Sequence, residues 1–79
     1  MAGRKETVSD EEILQIFLNS GEHIMTTREV SDALGFSLEG TRNRLYPLAD
    51  QGLLAQKKVG NSPAWWLTDA GREFLAESE

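Results

Sequence analysis

Polar and apolar positions follow two periods along this chain, and the change of period divides it into elements. From Asp10 to Asn19 the apolar residues Ile13, Ile16 and Phe17 form a stripe at helical spacing, widened on the neighbouring face by Leu14 and Leu18. Ser9 stands before it as a cap with Glu12 three residues on, the spacing at which each side chain satisfies an orphan amide. Asp10, Glu11 and Glu12 put negative charge at the positive end of the helix dipole, and Gly21 ends the element. Glu22 to Met25 reads as a short extended piece. Thr27 to Leu34 repeats the helical design: Thr26 caps it, Glu29 closes a second box, and Val30, Ala33 and Leu34 share one apolar face. Gly35 then supplies the positive φ that ends a helix without a Cβ penalty. After Phe36, Ser37 caps a third helix, in which Leu38, Thr41, Leu45 and Leu48 turn inward. Glu39, Arg42, Asn43 and Arg44 are left outside.

Two residues disturb this third helix. Gly40 near its start costs roughly 1 kcal/mol relative to Ala. Pro47 removes a backbone hydrogen bond, leaves the Asn43 carbonyl free and costs about 3 kcal/mol inside a helix. The sequence therefore predicts a kink or break near Tyr46-Pro47, a helix over 38–46, and Leu48 to Gln51 as a reoriented last turn.

Gly52 has the place of a residue just past a helix end. Leu53 to Val59 then reads as a strand, Gly60-Asn61-Ser62-Pro63 as a turn and Ala64 to Leu67 as a second strand, a hairpin spanning 54–67. Period two puts Trp65 and Leu67 in the core and turns Trp66 outward, and it sends Lys57 and Lys58 to opposite faces. Thr68 caps a last helix, Asp69 to Glu77, with Ala70, Phe74 and Leu75 packing back on the first. Met1 to Val8 has no apolar period. The chain divides into a disordered N-terminal arm at 1–8 and one domain at 9–79, in which Arg4 and Lys5 fit either a solvated tail or an arm reaching a phosphate.

Helix, short strand, helix, helix, β-hairpin and C-terminal helix is an α+β, mostly helical order, that of a winged helix-turn-helix. From Thr26 to Glu77 the sequence also resembles archaeal and bacterial winged-helix transcriptional regulators. The residues that carry the resemblance are TTREVSDALGFS, then Thr41, Leu45 and Leu48 at core spacing, Gly52-Leu53-Leu54, and LTDAGREFL. The hairpin KKVGNSPAWWLT is similar to that of small regulators from halophilic archaea. The resemblance implies a DNA-binding role, with helix 38–46 in the major groove and the hairpin against the flanking backbone.

Composition bounds this reading. Seventy-nine residues make one small domain with no room for the deep pocket of a typical metabolic enzyme. There is no cysteine and no apolar run near the length of a membrane span, which predicts a soluble, cytoplasmic protein without disulfides. The net charge of −5 argues against a generic nucleic-acid binder, but its distribution matters more. Between Arg28 and Lys58 the net is +1, and the remainder carries −6. The acid sits on the flanks, which also suits solubility at high salt.

Candidate contacts follow from side-chain chemistry. Arg42 suits guanine and Asn43 adenine, Glu39 can accept from a cytosine amino group, and Gly40 permits close backbone approach, so these four are the expected base contacts. Thr26, Thr27, Arg28, Ser37, Arg44, Lys57, Lys58, Asn61 and Ser62 are the expected phosphate contacts, through hydroxyls, amides and cations. Only one of Lys57 and Lys58 can track the phosphates along the hairpin. Leu14, Leu18 and Trp66 are candidates for a partner surface; the same leucines would otherwise close the monomer core, and Trp66 would shield the outer side of the hairpin. His23, the only histidine, has no companion at metal-ligand spacing.

No nucleophile–base pair, metal cluster or phosphate-cradling loop is present, so no enzyme, cofactor or small-molecule ligand is expected. The sequence predicts a DNA-binding transcriptional regulator, a repressor acting on double-stranded DNA alone or as a homodimer. A winged-helix module that binds protein instead of DNA remains the alternative.

Overall fold

The computed structural model describes residues 8–21 and 23–77. Most of the expected arm, with Arg4 and Lys5, lies outside them, as does Glu22. The elements run α1 (Asp10–Asn19), β1 (Met25–Thr26), α2 (Thr27–Leu34), α3 (Leu38–Asp50), β2 (Leu54–Val59), β3 (Ser62–Leu67) and α4 (Asp69–Glu77). The three strands make one antiparallel sheet in the order β1-β3-β2. This is the winged-helix architecture expected from the order of elements.

Local chemistry accounts for the helix ends. Both capping boxes form: the Glu12 and Glu29 amides donate to Ser9 Oγ and Thr26 Oγ1 at 3.1 and 3.2 Å, and each glutamate accepts the cap's own amide at 2.9 Å. Ser37 Oγ accepts from the Gly40 amide at 3.0 Å, so Gly40 belongs to the cap and does not delay the helix. Past the end of α3, Gly52 takes φ +81°, and the Leu53 amide reaches back to the Leu48 carbonyl at 3.0 Å. That six-residue closure needs a left-handed residue, which glycine supplies at no steric cost.

The predicted break at Pro47 is absent. The helix runs unbroken from Leu38 to Asp50, and the Gln51 amide takes the Pro47 carbonyl at 3.1 Å. Leu45 and Leu48 flank the proline and are fully buried. At roughly 1.5–3 kcal/mol each, their burial offsets the penalty of about 3 kcal/mol. Pro47 itself is exposed, so its ring meets no tertiary obstacle.

The core is built from Ile13, Leu14 and Phe17 of α1, Val30, Leu45, Leu48, Leu54, Trp65, Leu67 and Leu75. Four positions differ from the helical pattern. Ala33 and Ala70 are exposed, Leu38 lies at the margin, and Ser31 is buried in place of Ala33 with its hydroxyl donating to the Phe36 carbonyl at 2.6 Å. Thr41 is fully buried and donates to the Ser37 carbonyl at 2.8 Å, which satisfies its hydroxyl.

The hairpin is tighter than predicted. Val59 pairs with Ser62, so the turn is Gly60-Asn61 alone, with Gly60 at φ +61° as a II′ turn requires at its first central position. Pro63 stands in β3 opposite Lys58, one pair beyond the turn-closing pair, where its nitrogen points away from β2. The pairing with β1 stops at Ala64, so no ladder bond is lost. Thr68 caps α4 through the Gly71 amide at 3.0 Å and donates to the Gly52 carbonyl at 2.6 Å, tying the exit of the hairpin to the end of α3. No helix among the described residues is long and apolar enough to cross a membrane.

Candidate nucleic-acid interface

The inward residues of α3, Thr41, Leu45 and Leu48, fix which face looks out. Glu39, Arg42, Asn43 and Tyr46 are all exposed at i, i+3, i+4 and i+7, one stripe on two turns. None of their side chains has a hydrogen-bond or ion-pair partner among the described residues. Sequence reasoning missed Tyr46. Its i+7 spacing from Glu39 was the signal, hidden by the assumption that the helix fails at Pro47.

Strand register assigns the two lysines. Gln56 pairs with Trp65 and Lys58 with Pro63, so Lys58 shares a sheet face with Trp65. Trp65 in turn meets Tyr46 of α3 edge-to-face, with ring centroids 5.1 Å apart at 77°. Lys58 therefore lies on the α3 side of the wing. Lys57, opposite Ala64 on the face of Trp66, lies on the other side. Asn61 and Ser62 are exposed at the tip, and Arg28 is exposed on the first turn of α2.

Three expected contacts are corrected. Thr27 is buried and accepts the Trp65 indole N–H at 2.9 Å, so its hydroxyl serves the core. Arg44 turns from the outward stripe to α1, where its guanidinium donates to Asp10 Oδ1 at 3.0 Å with the side chain about two-thirds covered. Its position, two residues past Arg42, carries it round the helix by more than half a turn. Leu14 is fully buried and belongs to the core, not to a partner surface. Thr26 and Ser37 keep their places at helix N-termini, but their oxygens accept cap amides, which leaves each hydroxyl proton as the group to offer.

A groove of about 830 Å³ opens across the sheet from α3. Trp66, Leu18 and Ile24 line it, with Lys57 and Arg72 at its edge, and Leu18 and Ile24 are about half exposed. His23 also borders it. Among the described residues no group of three or more His, Cys, Asp or Glu side chains stands where a metal ion could be held.

No protein-family model matches the sequence, and no curated protein matches it. Solved structures do share the fold. A variant of MarR from E. coli complexed with operator DNA is similar over 90% of this chain at a TM-score of 0.77 and 18% identity, and 51% of its own chain is covered. BpsR from Bordetella bronchiseptica, whose DNA binding is regulated by 6-hydroxynicotinic acid, is similar over 98% of this chain at 0.77 and 21% identity, with 55% of its length covered. A MarR family protein from Bacillus stearothermophilus gives 0.76 and 21% over 90% of this chain and 49% of its own. The present chain spans about half the length of these proteins. The likeness establishes the winged-helix fold; the archaeal resemblance rests on the sequence alone.

Proposed function

We propose that the chain is a DNA-binding transcriptional regulator without enzymatic activity, placing α3 in the major groove with the β2–β3 hairpin as wing. The observation that carries this reading is the outward stripe of α3. A donor fork at Arg42 and an amide at Asn43 are held on a helix braced from beneath and have no hydrogen-bond or ion-pair partner among the described residues. Arginine pairs with the guanine O6/N7 edge and asparagine with the adenine N6/N7 edge. Glu39 repels phosphate but accepts from a cytosine amino group, and Gly40, part of the cap, lets backbone approach the bases. Lys58, Asn61, Ser62 and Arg28 supply backbone contacts around that centre, with the Thr26 and Ser37 hydroxyls. Lys57 faces away from α3 and contributes only to the general field. Repression by occupancy needs nothing further, since a bound domain blocks the polymerase from the same DNA, and the site of action is the cytoplasm.

Selection of bound sequences from random DNA tests this. An enriched motif that Arg42→Ala relaxes at one position, with Lys58→Ala lowering affinity across all sequences, is the expected result. Failure of either variant to change binding sinks the assignment of the surface.

Homodimerisation on paired half-sites keeps Leu18 and Trp66 as its seam and loses Leu14. The groove at Leu18, Ile24 and Trp66 equally favours the second reading, a module that binds protein and not DNA, because a half-buried indole beside exposed aliphatic surface is typical of interfaces. No enriched motif, together with a protein ligand whose binding Trp66→Ala abolishes, would establish that reading instead.

A further inference from the structure

We propose that Tyr46 is a further contact residue of this surface, its phenolic hydroxyl donating to a phosphate oxygen at the edge of the groove that α3 enters; this rests on the DNA-binding reading above. Three observations lead to it. Because α3 continues through Pro47 to Asp50, Tyr46 sits in mid-helix and completes the stripe of Glu39, Arg42 and Asn43. Its side chain is 41% exposed, and its hydroxyl has no partner among the described residues. Its ring is also held: Trp65 meets it at 77° with centroids 5.1 Å apart, and Trp65 is itself fully buried and tied to Thr27 at 2.9 Å.

An exposed aromatic ring held from below by a fixed ring is oriented before any partner arrives. Binding then costs little side-chain entropy. Its place selects the target. Residues early in a recognition helix approach base edges, and Tyr46 lies two turns on from Glu39, about 10 Å along the axis. There it stands between Arg42 and Asn43 on one side and, through Trp65, the sheet face carrying Lys58 on the other. What lies between a helix in the groove and a wing on the flank is the sugar–phosphate strand. A phenol can donate to phosphate without a charge of its own.

The test uses the full chain, Tyr46→Phe, and a selected duplex in which single phosphates are replaced in turn by neutral methylphosphonate. Tyr46→Phe keeps the ring against Trp65, and a thermal melt confirms that the fold is unchanged. The expected result is roughly tenfold weaker binding, equal for every sequence, as for loss of a hydrogen bond to a charged group. The salt dependence stays the same, because no counterion release is lost. One methylphosphonate that weakens the wild type has no further effect on Tyr46→Phe. Unchanged affinity, a loss that varies with base identity, or equal sensitivity of both proteins at every phosphate overturns the proposal. Arg42→Ala separates the two levels: if it impairs binding while Tyr46→Phe does not, only the tyrosine contact falls. If neither matters, the assignment of the α3 stripe to DNA falls with it, and a chain that selects no duplex at all overturns the DNA-binding reading itself.

Discussion

Trp65 and Thr27 lie 38 residues apart in the chain, and the indole N–H of one donates to the hydroxyl of the other at 2.9 Å in the interior. Through this bond the centre of β3 is fixed to the first turn of α2, while the same indole packs edge-to-face with Tyr46 on α3. Thr27→Val keeps the shape and removes the acceptor. The stranded indole N–H then costs about 1–3 kcal/mol. In a domain of this size each kcal/mol lowers Tm by about 4–8 °C. Thr27→Ser retains the acceptor and is expected to lose clearly less. Calorimetry of the two variants checks this, and a Thr27→Val melt equal to wild type refutes it.

Glycine is required at position 71 by close approach and not by backbone angle. A Cβ there would run into the Leu53 carbonyl and come within 2.7 Å of Leu67 Cδ1. The carbonyl is backbone, held by the Thr68 amide at 3.2 Å, and cannot yield cheaply. Gly71→Ala is therefore expected to destabilise by about 1–3 kcal/mol, as overpacking does, despite alanine's helix advantage of about 1 kcal/mol. Gly40→Ala is the contrast. Its Cβ meets only the Ser37 hydroxyl at 3.2 Å, a rotatable group. There the helix gain and the disturbed cap nearly cancel. Urea midpoints should fall for Gly71→Ala and stay nearly constant for Gly40→Ala, with equal slopes.

These contacts also mark how far the sequence could be read. Both capping boxes, the positive-φ glycines at 35 and 52, the inward Thr41 and the core Trp65 are local or periodic features, and each is where the residues imply. What was not legible depends on contacts distant in sequence. Arg44 looks like one more outward cation until α1 is packed beside it and Asp10 comes within reach. Thr27 looks like a second free hydroxyl until Trp65 arrives from β3. The proline is a different case: the leucines that flank it are visibly inward in the sequence, but how far their burial outweighs the local penalty is set by the core they pack into. A break placed there removes Tyr46 from the outward stripe.

Pro47 remains a local fault in a helix held together by its neighbours. Pro47→Ala returns the N–H that the Asn43 carbonyl lacks, and the exposed position has no packing to lose. Stability is expected to rise by about 1–3 kcal/mol, part of the full proline penalty being offset by greater freedom of the unfolded chain. Amide exchange around Leu48 should slow in parallel. A variant no more stable than wild type would mean that the helix already accommodates the ring without cost.

The ion pair between Arg44 and Asp10 separates a structural cation from the surface ones. Both partners are partly exposed, 30% and 45%, so the pair contributes no more than about 1 kcal/mol. Held at α1, the Arg44 guanidinium releases no counterion when DNA binds. Arg44→Ala is thus expected to leave the slope of log affinity against log salt unchanged, with a Tm lower by only a few degrees. Lys58→Ala, on the α3 side of the wing, should make that slope shallower by about one. Asp10→Asn frees the arginine and is expected to steepen it towards one additional contact. Titrations at several salt concentrations on one duplex decide the matter. A shallower slope for Arg44→Ala, equal to that for Lys58→Ala, would return Arg44 to the phosphate-contacting set.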